Sequence, residues 1–160
     1  MHPPRHTQSN QSGQALPEFA LVLPLLLVLL LGMLDLGKAF HYWIDTTQIT
    51  SEGARYAAVN RKPDPASGLS LQQQLQGQGT SGELRTGSSD SLPTPAEVCI
   101  DFPLGTSNPG DPVRVTMRFI YHWLPFLANP ERMGIASTSV ESSAIMRLEA
   151  TPTNFTAGCA

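Results

Sequence analysis

The chain has 160 residues, a net charge of −3 and a pI near 5.7, which bounds it to one small domain plus any anchor. This mildly acidic sequence has no basic cluster, which excludes an electrostatic surface for nucleic acid. The 14 prolines and 13 glycines, many of them in the middle of the chain, indicate a long loop there.

Residues 1–13, MHPPRHTQSNQSG, are polar and without periodicity, which predicts a leader or a disordered tail. An apolar run follows, with no charged residue from Phe19 to Leu34. About twenty residues counted from Ala15 make a helix of about 30 Å, which is the thickness of a membrane's hydrocarbon core. We therefore predict a transmembrane helix over residues 14–37.

A cleavable secretory signal is the rival interpretation of the apolar run. Its uncharged part is longer than the usual h-region of about 7–15 residues, and no A-x-A-like cleavage site follows it. The nearest candidate site, Gly37-Lys38-Ala39, has a lysine in the middle. These features favour a retained anchor.

The carboxylate of Glu18 stands at the front edge of the run. An acid at the centre of a span costs about 2.5–3.5 kcal/mol, and less near the edge. Glu18 therefore either reaches back to the lipid headgroups or has a charged partner. The residues by themselves leave both interpretations open.

Charges on the two sides of the run predict its orientation. Arg5 is the only arginine or lysine before the run, and no acid precedes Glu18. By the positive-inside rule, the N-terminus lies in the cytoplasm. The chain is then a single-pass protein of the cytoplasmic membrane with its C-terminal part outside.

The helical pattern continues past the run to Val59 without a proline, so residues 38–60 are predicted to extend the helix outside the membrane. One helix from Glu18 to Val59 would be about 60 Å long. We place Tyr42 and Trp43 in an aromatic belt at the membrane surface. We expect the covered face to be a stripe at 3–4 spacing, formed by Phe40, Trp43, Thr47, Ser51, Ala54 and Ala58.

Residues 61–95, rich in Pro, Gly, Ser and Gln, are predicted to be loop, apart from a turn or two of helix at Ser70–Leu75. Period-two alternation then predicts three strands, in AEVCIDF, PVRVTMRFIYHW and IASTSVESSAIMRL, within a β-rich domain over residues 96–149. Residues 150–160 are a predicted tail. The fold class is α+β: a long N-terminal helix followed by a small antiparallel sheet that covers its outer half. One face of the second strand carries Val113, Val115, Met117, Phe119 and Tyr121.

Both cysteines, Cys99 and Cys159, lie beyond the apolar run. In an oxidising compartment the two are able to pair, and the closed loop would contribute about 3–4 kcal/mol. The alternative is two unpaired thiols, one of them in the tail.

No residue pattern predicts a catalytic, cofactor-binding or metal site. The four histidines are scattered, without the spacing of metal ligands. The glycine-rich stretch Gly77–Gly82 has no strand before it and no lysine after it, which favours a flexible loop over a phosphate site. We expect no enzymatic activity, no cofactor and no small-molecule substrate.

Gly13, the acid Glu18 and the aromatic Phe19 stand in register before a leucine-rich helix, and this arrangement resembles the start of a type IV prepilin. More narrowly, GQALPEFALVLPLLLVLLLGMLDLGKAF followed by SEGARYAAV resembles the TadE-like (TadE/TadG) pseudopilins of the Tad, or Flp, pilus system. The later SSAIMRLE loosely resembles the end of that family's domain.

The resemblance implies a minor pseudopilin or assembly component whose partners are membrane lipid, a prepilin peptidase, other pilin subunits and the Tad secretion machinery. It also implies cleavage between Gly13 and Gln14, and assembly roles for Glu18 and Phe19. Cleavage would free an α-amine on Gln14, which is positively charged near neutral pH, and a neighbour's amine would be the partner of Glu18. The alternative is an unprocessed single-pass anchor that presents an extracytoplasmic binding domain.

Overall fold

The computed structural model describes residues 15–124 and 137–160, so the predicted leader over residues 1–13 lies outside it. The chain divides into two compact units after Leu34. The α+β class is confirmed, because one long helix precedes a four-stranded antiparallel sheet. The helices are α1 (Ala15–Ala58), α2 (Leu71–Gly77) and α3 (Gly82–Thr86), with a 3₁₀ turn at Pro65–Ser67. The strands are β1 (Glu97–Asp101), β2 (Pro112–His122), β3 (Ser137–Arg147) and β4 (Gly158–Cys159).

Helix α1 is 44 residues long and passes through Pro24 without ending. The predicted transmembrane helix and its predicted extension are therefore parts of one helix. Its end lies within one residue of the predicted Val59. Asn60 follows at a φ of 51°, the left-handed conformation that asparagine tolerates after a helix.

The face of α1 that the domain covers differs from the predicted stripe. Of that stripe only Ala54 and Ala58 are buried, whereas Phe40, Trp43 and the two residues that continue it are exposed. The buried face lies beside it and consists of Tyr42, Thr46, Ile49, Gly53 and Ala57 with their neighbours. Small residues near the helix end, Gly53 and Ala57, let the sheet approach closely. The packing gained there outweighs the burial of the larger apolar area on the predicted face.

Tyr42 was assigned to an aromatic belt, and that assignment was wrong. It is 2% exposed and packs edge-on against Phe119, with ring centroids 6.1 Å apart. Its ring also lies 6.0 Å from that of Tyr121. Tyr42 is therefore a core residue of the second unit.

The segment predicted to be a long loop is partly helical. A turn of helix at Ser70–Leu75 was expected, and α2 begins there with a capping box between Ser70 and Gln73. The loop prediction was wrong for α3, which sequence periodicity could not detect in five residues. Four leucines of this segment are fully buried in the core: Leu71, Leu75, Leu84 and Leu92.

The sheet has the order β3-β2-β1-β4 with every neighbouring pair antiparallel. Burial along β2 alternates as predicted, since its odd-numbered residues from Val113 to Tyr121 are buried. The third predicted strand corresponds to β3, whose first two predicted residues lie outside the described part of the chain. The fourth strand, β4, comes from the segment that was predicted to be a tail.

Gly53 marks the closest approach of α1 to the domain, and substituting it tests the observed packing. A Cβ at this position would lie 2.7 Å from Leu75 Cδ1 and 3.2 Å from Val115 Cγ1, and both of these side chains are fully buried. We expect Gly53→Val to lower the free energy of unfolding by about 1–3 kcal/mol, as overpacking does. Denaturant titration of the detergent-solubilised chain measures this.

The matched control is Ser51→Val, which places the same β-branched side chain in the same helix at an exposed position. It should change stability by well under half as much. Equal losses in the two variants would contradict the assignment of the buried face.

Candidate functional site

Glu18 lies in the first turn of α1, and its side chain is exposed, as is that of Phe19 beside it. An acid in the first turn is favourable, because the helix dipole places partial positive charge at the N-terminus. Within residues 15–124 and 137–160 no basic group forms an ion pair with Glu18. The predicted cleavage residues, Gly13 and Gln14, lie outside the described residues.

The helix that carries Glu18 exposes an unusually large apolar surface. Its large side chains from Leu16 to Leu36 are exposed by 38–81%, apart from the half-buried Leu31. An apolar surface of this extent marks contact with a membrane or with other proteins. The helix is long and apolar enough to cross a membrane, so lipid is a sufficient cover for it.

Asp35 is the first residue of the second unit and is buried. Its Oδ1 accepts a hydrogen bond of 2.6 Å from the Tyr121 hydroxyl, and its Oδ2 accepts one of 2.9 Å from the Leu124 backbone N–H. Burial raises the pKa of the Tyr121 hydroxyl, and the bond to Asp35 raises it further. The carboxylate thereby attaches the middle of α1 to the end of β2.

Asp45 forms a second attachment, ten residues further along α1. Its carboxylate accepts hydrogen bonds from the Thr80 hydroxyl, the Thr80 backbone N–H at 2.9 Å and the Ser81 N–H at 3.3 Å. Ser81 is the N-cap residue of α3. The stretch Gly77–Gly82 was predicted to be a flexible loop, whereas this carboxylate holds it at the start of a helix.

No role was predicted for Asp35 or Asp45, which both follow the apolar run. Asp35 is the first charge after the uncharged run from Phe19 to Leu34, and that is the signal that would have found it, whereas no comparable local signal marks Asp45. A buried carboxylate is stable only with hydrogen-bond donors. Their donors, however, come from Tyr121 and Thr80, at sequence distances of 86 and 35 residues.

The structure joins Cys99 and Cys159 in a disulfide, which is one of the two alternatives open from sequence. The two residues lie directly opposite each other in β1 and β4, with Cα atoms 4.0 Å apart. In the same terminal segment the buried ring of Phe155 stacks on Phe102. The segment predicted to be a tail therefore adds the last strand, β4, to the sheet.

These features are consistent with one class, a membrane-anchored protein: a helix long and apolar enough to cross a membrane continues into a small α+β domain. The comparison with known families is specific for the anchor. Residues 13–55 match the family model described as TadE-like protein, which confirms the resemblance over that stretch and supports a Tad-pilus-related membrane protein. The match includes Gly13, Glu18 and most of α1, and it ends before the loop and the sheet. No curated protein and no solved structure matches the chain.

Removing the charge of Asp35 tests its attachment to β2. Asn in its place keeps one oxygen for the Leu124 N–H, and its NH₂ group turns the Tyr121 hydroxyl from a donor into an acceptor, so both charge-assisted hydrogen bonds become weaker neutral ones. We expect Asp35→Asn to lower the free energy of unfolding by about 1–3 kcal/mol. Asp90→Asn, at an exposed position, is the control and should leave the unfolding midpoint unchanged. Equal midpoints for Asp35→Asn and the parent chain would show that the two hydrogen bonds add no net stability.

Proposed function

We propose that this chain is a minor pseudopilin, or assembly component, of a Tad-type pilus. The observation that carries the proposal is the TadE-like match, which begins at Gly13, the residue before the expected cut, and continues through the exposed apolar helix. A membrane helix with an acid in its first turn, attached to a small outer domain, fits a subunit that is anchored before it is assembled.

In the proposed mechanism a prepilin peptidase cuts between Gly13 and Gln14. Glycine has no Cβ, so the enzyme's acids are able to approach the scissile carbonyl closely. The new α-amine carries positive charge near neutral pH. The peptidase is thus one partner of the chain, and its product carries a cation on Gln14 and an acid at its fifth residue, Glu18.

Glu18 then acts in assembly by pairing with the amine of a neighbouring subunit. Its exposed carboxylate supports this role because no ion pair within the described residues occupies it. Within a bundle of apolar helices an unpaired carboxylate costs far more than an exposed ion pair contributes. The pairing therefore specifies the axial register of subunits, while Phe19 contributes apolar contact beside it.

We assign the domain no enzymatic role and no cofactor. Its buried carboxylates, Asp35 and Asp45, are occupied by hydrogen bonds from the chain itself. Glu97, Cys99 and Cys159 lie close enough together to hold a metal ion, but their two sulfurs are joined in the disulfide. The domain thus serves as a surface for other pilus proteins.

Processing is the first test of the proposal. N-terminal sequencing of the chain from native membranes should find a mature protein that begins at Gln14. Gly13→Leu should leave the full-length protein in the membrane. Glu18→Ala should still be cut yet fail to co-purify with other pilus components, and Glu18→Asp should retain part of that association.

Three other results would each remove part of the proposal. A mature chain that begins at Met1 or His2, with the peptidase present, would favour an unprocessed anchor with a binding domain. A chain that begins near Phe40 would identify the apolar run as a signal peptide. Equal assembly of Glu18→Ala and the parent would leave cleavage in place and remove the pairing role.

Orientation is the second test. We propose that the N-terminus lies in the cytoplasm and the domain outside, because Arg5 precedes the run and because disulfides persist in oxidising compartments. A reporter that is active only outside should be active after Ala160 and inactive before Met1. In intact cells Cys99 and Cys159 should resist alkylation until a reductant is added. Cysteines that label freely, together with an inactive C-terminal reporter, would reverse the orientation.

A further inference from the structure

Strand β3 forms one edge of the sheet, and it is 11 residues long. The opposite edge, β4, has two residues. Among the described residues only β2 pairs with β3. Native proteins usually protect a long edge with charged residues, proline, a bulge or a covering segment. Ser137–Arg147 contains no lysine or proline, its two charged residues are Glu141 and Arg147, and its odd-numbered side chains are exposed. The β3 edge is therefore a strong candidate for pairing with another strand.

The hydrogen bonds at the end of β3 establish which backbone groups point outward. Leu148 bonds toward β2, since its N–H donates to the Asp111 carbonyl and its carbonyl accepts from Gly110. Along an antiparallel strand the backbone N–H and C=O groups of successive residues point alternately to one neighbouring strand and to the other. In β3 those of the even-numbered residues therefore bond to β2, and those of the odd-numbered residues point away from it. The Glu149 N–H agrees, because it donates outward to the Ala58 carbonyl at 2.8 Å. The outward N–H and C=O groups inside β3 are those of Ser139, Glu141, Ser143 and Ile145.

Helix α1 runs beside this edge in the same direction as β3. The Ser142 hydroxyl lies 3.2 Å from that of Thr50 and 3.3 Å from that of Thr47, and Ala58 meets Glu149 further along. From Thr47 an exposed groove extends over the outer side of α1, and Trp43 and Ile44 form its apolar end. A strand added to β3 would thus meet this groove with the side chains on one of its faces.

The other face of the added strand would meet an incomplete row of charges. Across the sheet Glu97, Arg118 and Glu141 are direct neighbours. Arg118 Nε donates to Glu97 Oε2 at 2.7 Å, and no ion pair to Glu141 forms within the described residues. The row reads acid, base, acid, so a base in the next strand would complete the alternation, as favourable cross-strand pairs do.

We propose that the β3 edge binds an extended segment of a different protein as an added strand. The segment carries apolar side chains on the face toward α1 and a lysine or arginine opposite Glu141. Main-chain hydrogen bonds to β3 supply the affinity, and the groove and Glu141 supply the specificity. This surface is separate from the cleavage and assembly residues at the start of α1, so it does not depend on their proposed roles.

A second copy of this chain does not fit the edge. Two β3 strands paired antiparallel are related by an axis perpendicular to the sheet, which reverses α1, whereas copies anchored in one membrane leave it in the same direction. Two β3 strands paired parallel are related by an axis along the strands, so the faces of the second sheet are exchanged. The even-numbered side chains of the second β3 would then lie beside Glu141. Those residues of β3 are all uncharged, so Glu141 would again have no base opposite it.

The test uses the full chain in detergent micelles and a fluorescent nine-residue peptide in which threonine and valine alternate and the central threonine is replaced by lysine. We expect binding by fluorescence anisotropy and slower amide exchange at Glu141, Ser143 and Ile145. The Ser143→Pro variant removes an outward N–H without touching the bonds to β2, and should weaken binding at least ten-fold. Ser143→Ala, which keeps that N–H, should bind like the parent.

Charge reversal provides a second variant that does not depend on proline being tolerated. A peptide with glutamate in place of lysine should bind the parent about two- to five-fold more weakly, the size expected for one exposed cross-strand pair. Glu141→Lys should invert this preference.

Several results would overturn the proposal. Equal binding by Ser143→Pro and Ser143→Ala, with both variants folded by circular dichroism, would do so, as would a peptide preference that Glu141→Lys leaves unchanged. Slow exchange of the outward amides in the free monomer would show an edge that is already paired. Protection that rises with protein concentration, without peptide, would identify a second copy as the occupant.

Discussion

The hydrogen bonds of the Asp35 carboxylate are the interaction on which the packing of α1 against the sheet depends. Asp35 lies where the apolar part of α1 gives way to the part that the sheet covers, and it is nearly removed from water. A buried carboxylate without donors would strongly destabilise the fold, so Tyr121 and Leu124 must be in place for α1 and β2 to pack. Asp45 repeats this arrangement through Thr80 and Ser81. The two acids together set the rotation of α1 against the domain.

That rotation decides which side of α1 remains available to partners. With Gly53 and Ala57 turned toward the core, the bulkier Phe40, Trp43 and Ile44 are exposed. Their side of the helix adjoins the β3 edge through Thr47. Asp35 and Asp45, on the opposite side of the helix, accept hydrogen bonds from the sheet and from the loop. This rotation places the exposed groove at Trp43 beside the β3 edge.

The family match and the domain carry different kinds of functional information. Residues 13–55 match the TadE-like model, and they include the acid and the membrane helix that define the proposed place of the chain in a pilus. The loop, the sheet and the disulfide lie outside the match. The role of the domain therefore follows from its own surface: the covered face of α1, the two-residue β4 edge and the 11-residue β3 edge.

Sequence alone determined the features that depend on near neighbours in the chain. The apolar run, the continuation of α1 to Ala58, the alternation in β2 and the α+β class all follow from local periodicity. Glu18 at the front of the run could also be recognised, because one charge beside a long uncharged segment is a local signal. The TadE-like resemblance belongs to the same category, since its residues are contiguous.

Only the tertiary structure decided the features that depend on distant contacts. Two stripes of α1 were plausible as its buried face. The observed one is buried because its small residues allow close packing and because the Tyr121 hydroxyl on β2 donates to Asp35. Helix α3 is too short for a periodic pattern, and it begins directly after Thr80 and Ser81, whose backbone N–H groups donate to Asp45. Strand β4 has two residues and exists because Cys99 and β1 are beside it, although 60 residues separate Cys99 from Cys159. Strand pairing, hydrogen bonds between segments and close packing all depend on which segments meet in space. The residue pattern within one segment therefore does not predict them.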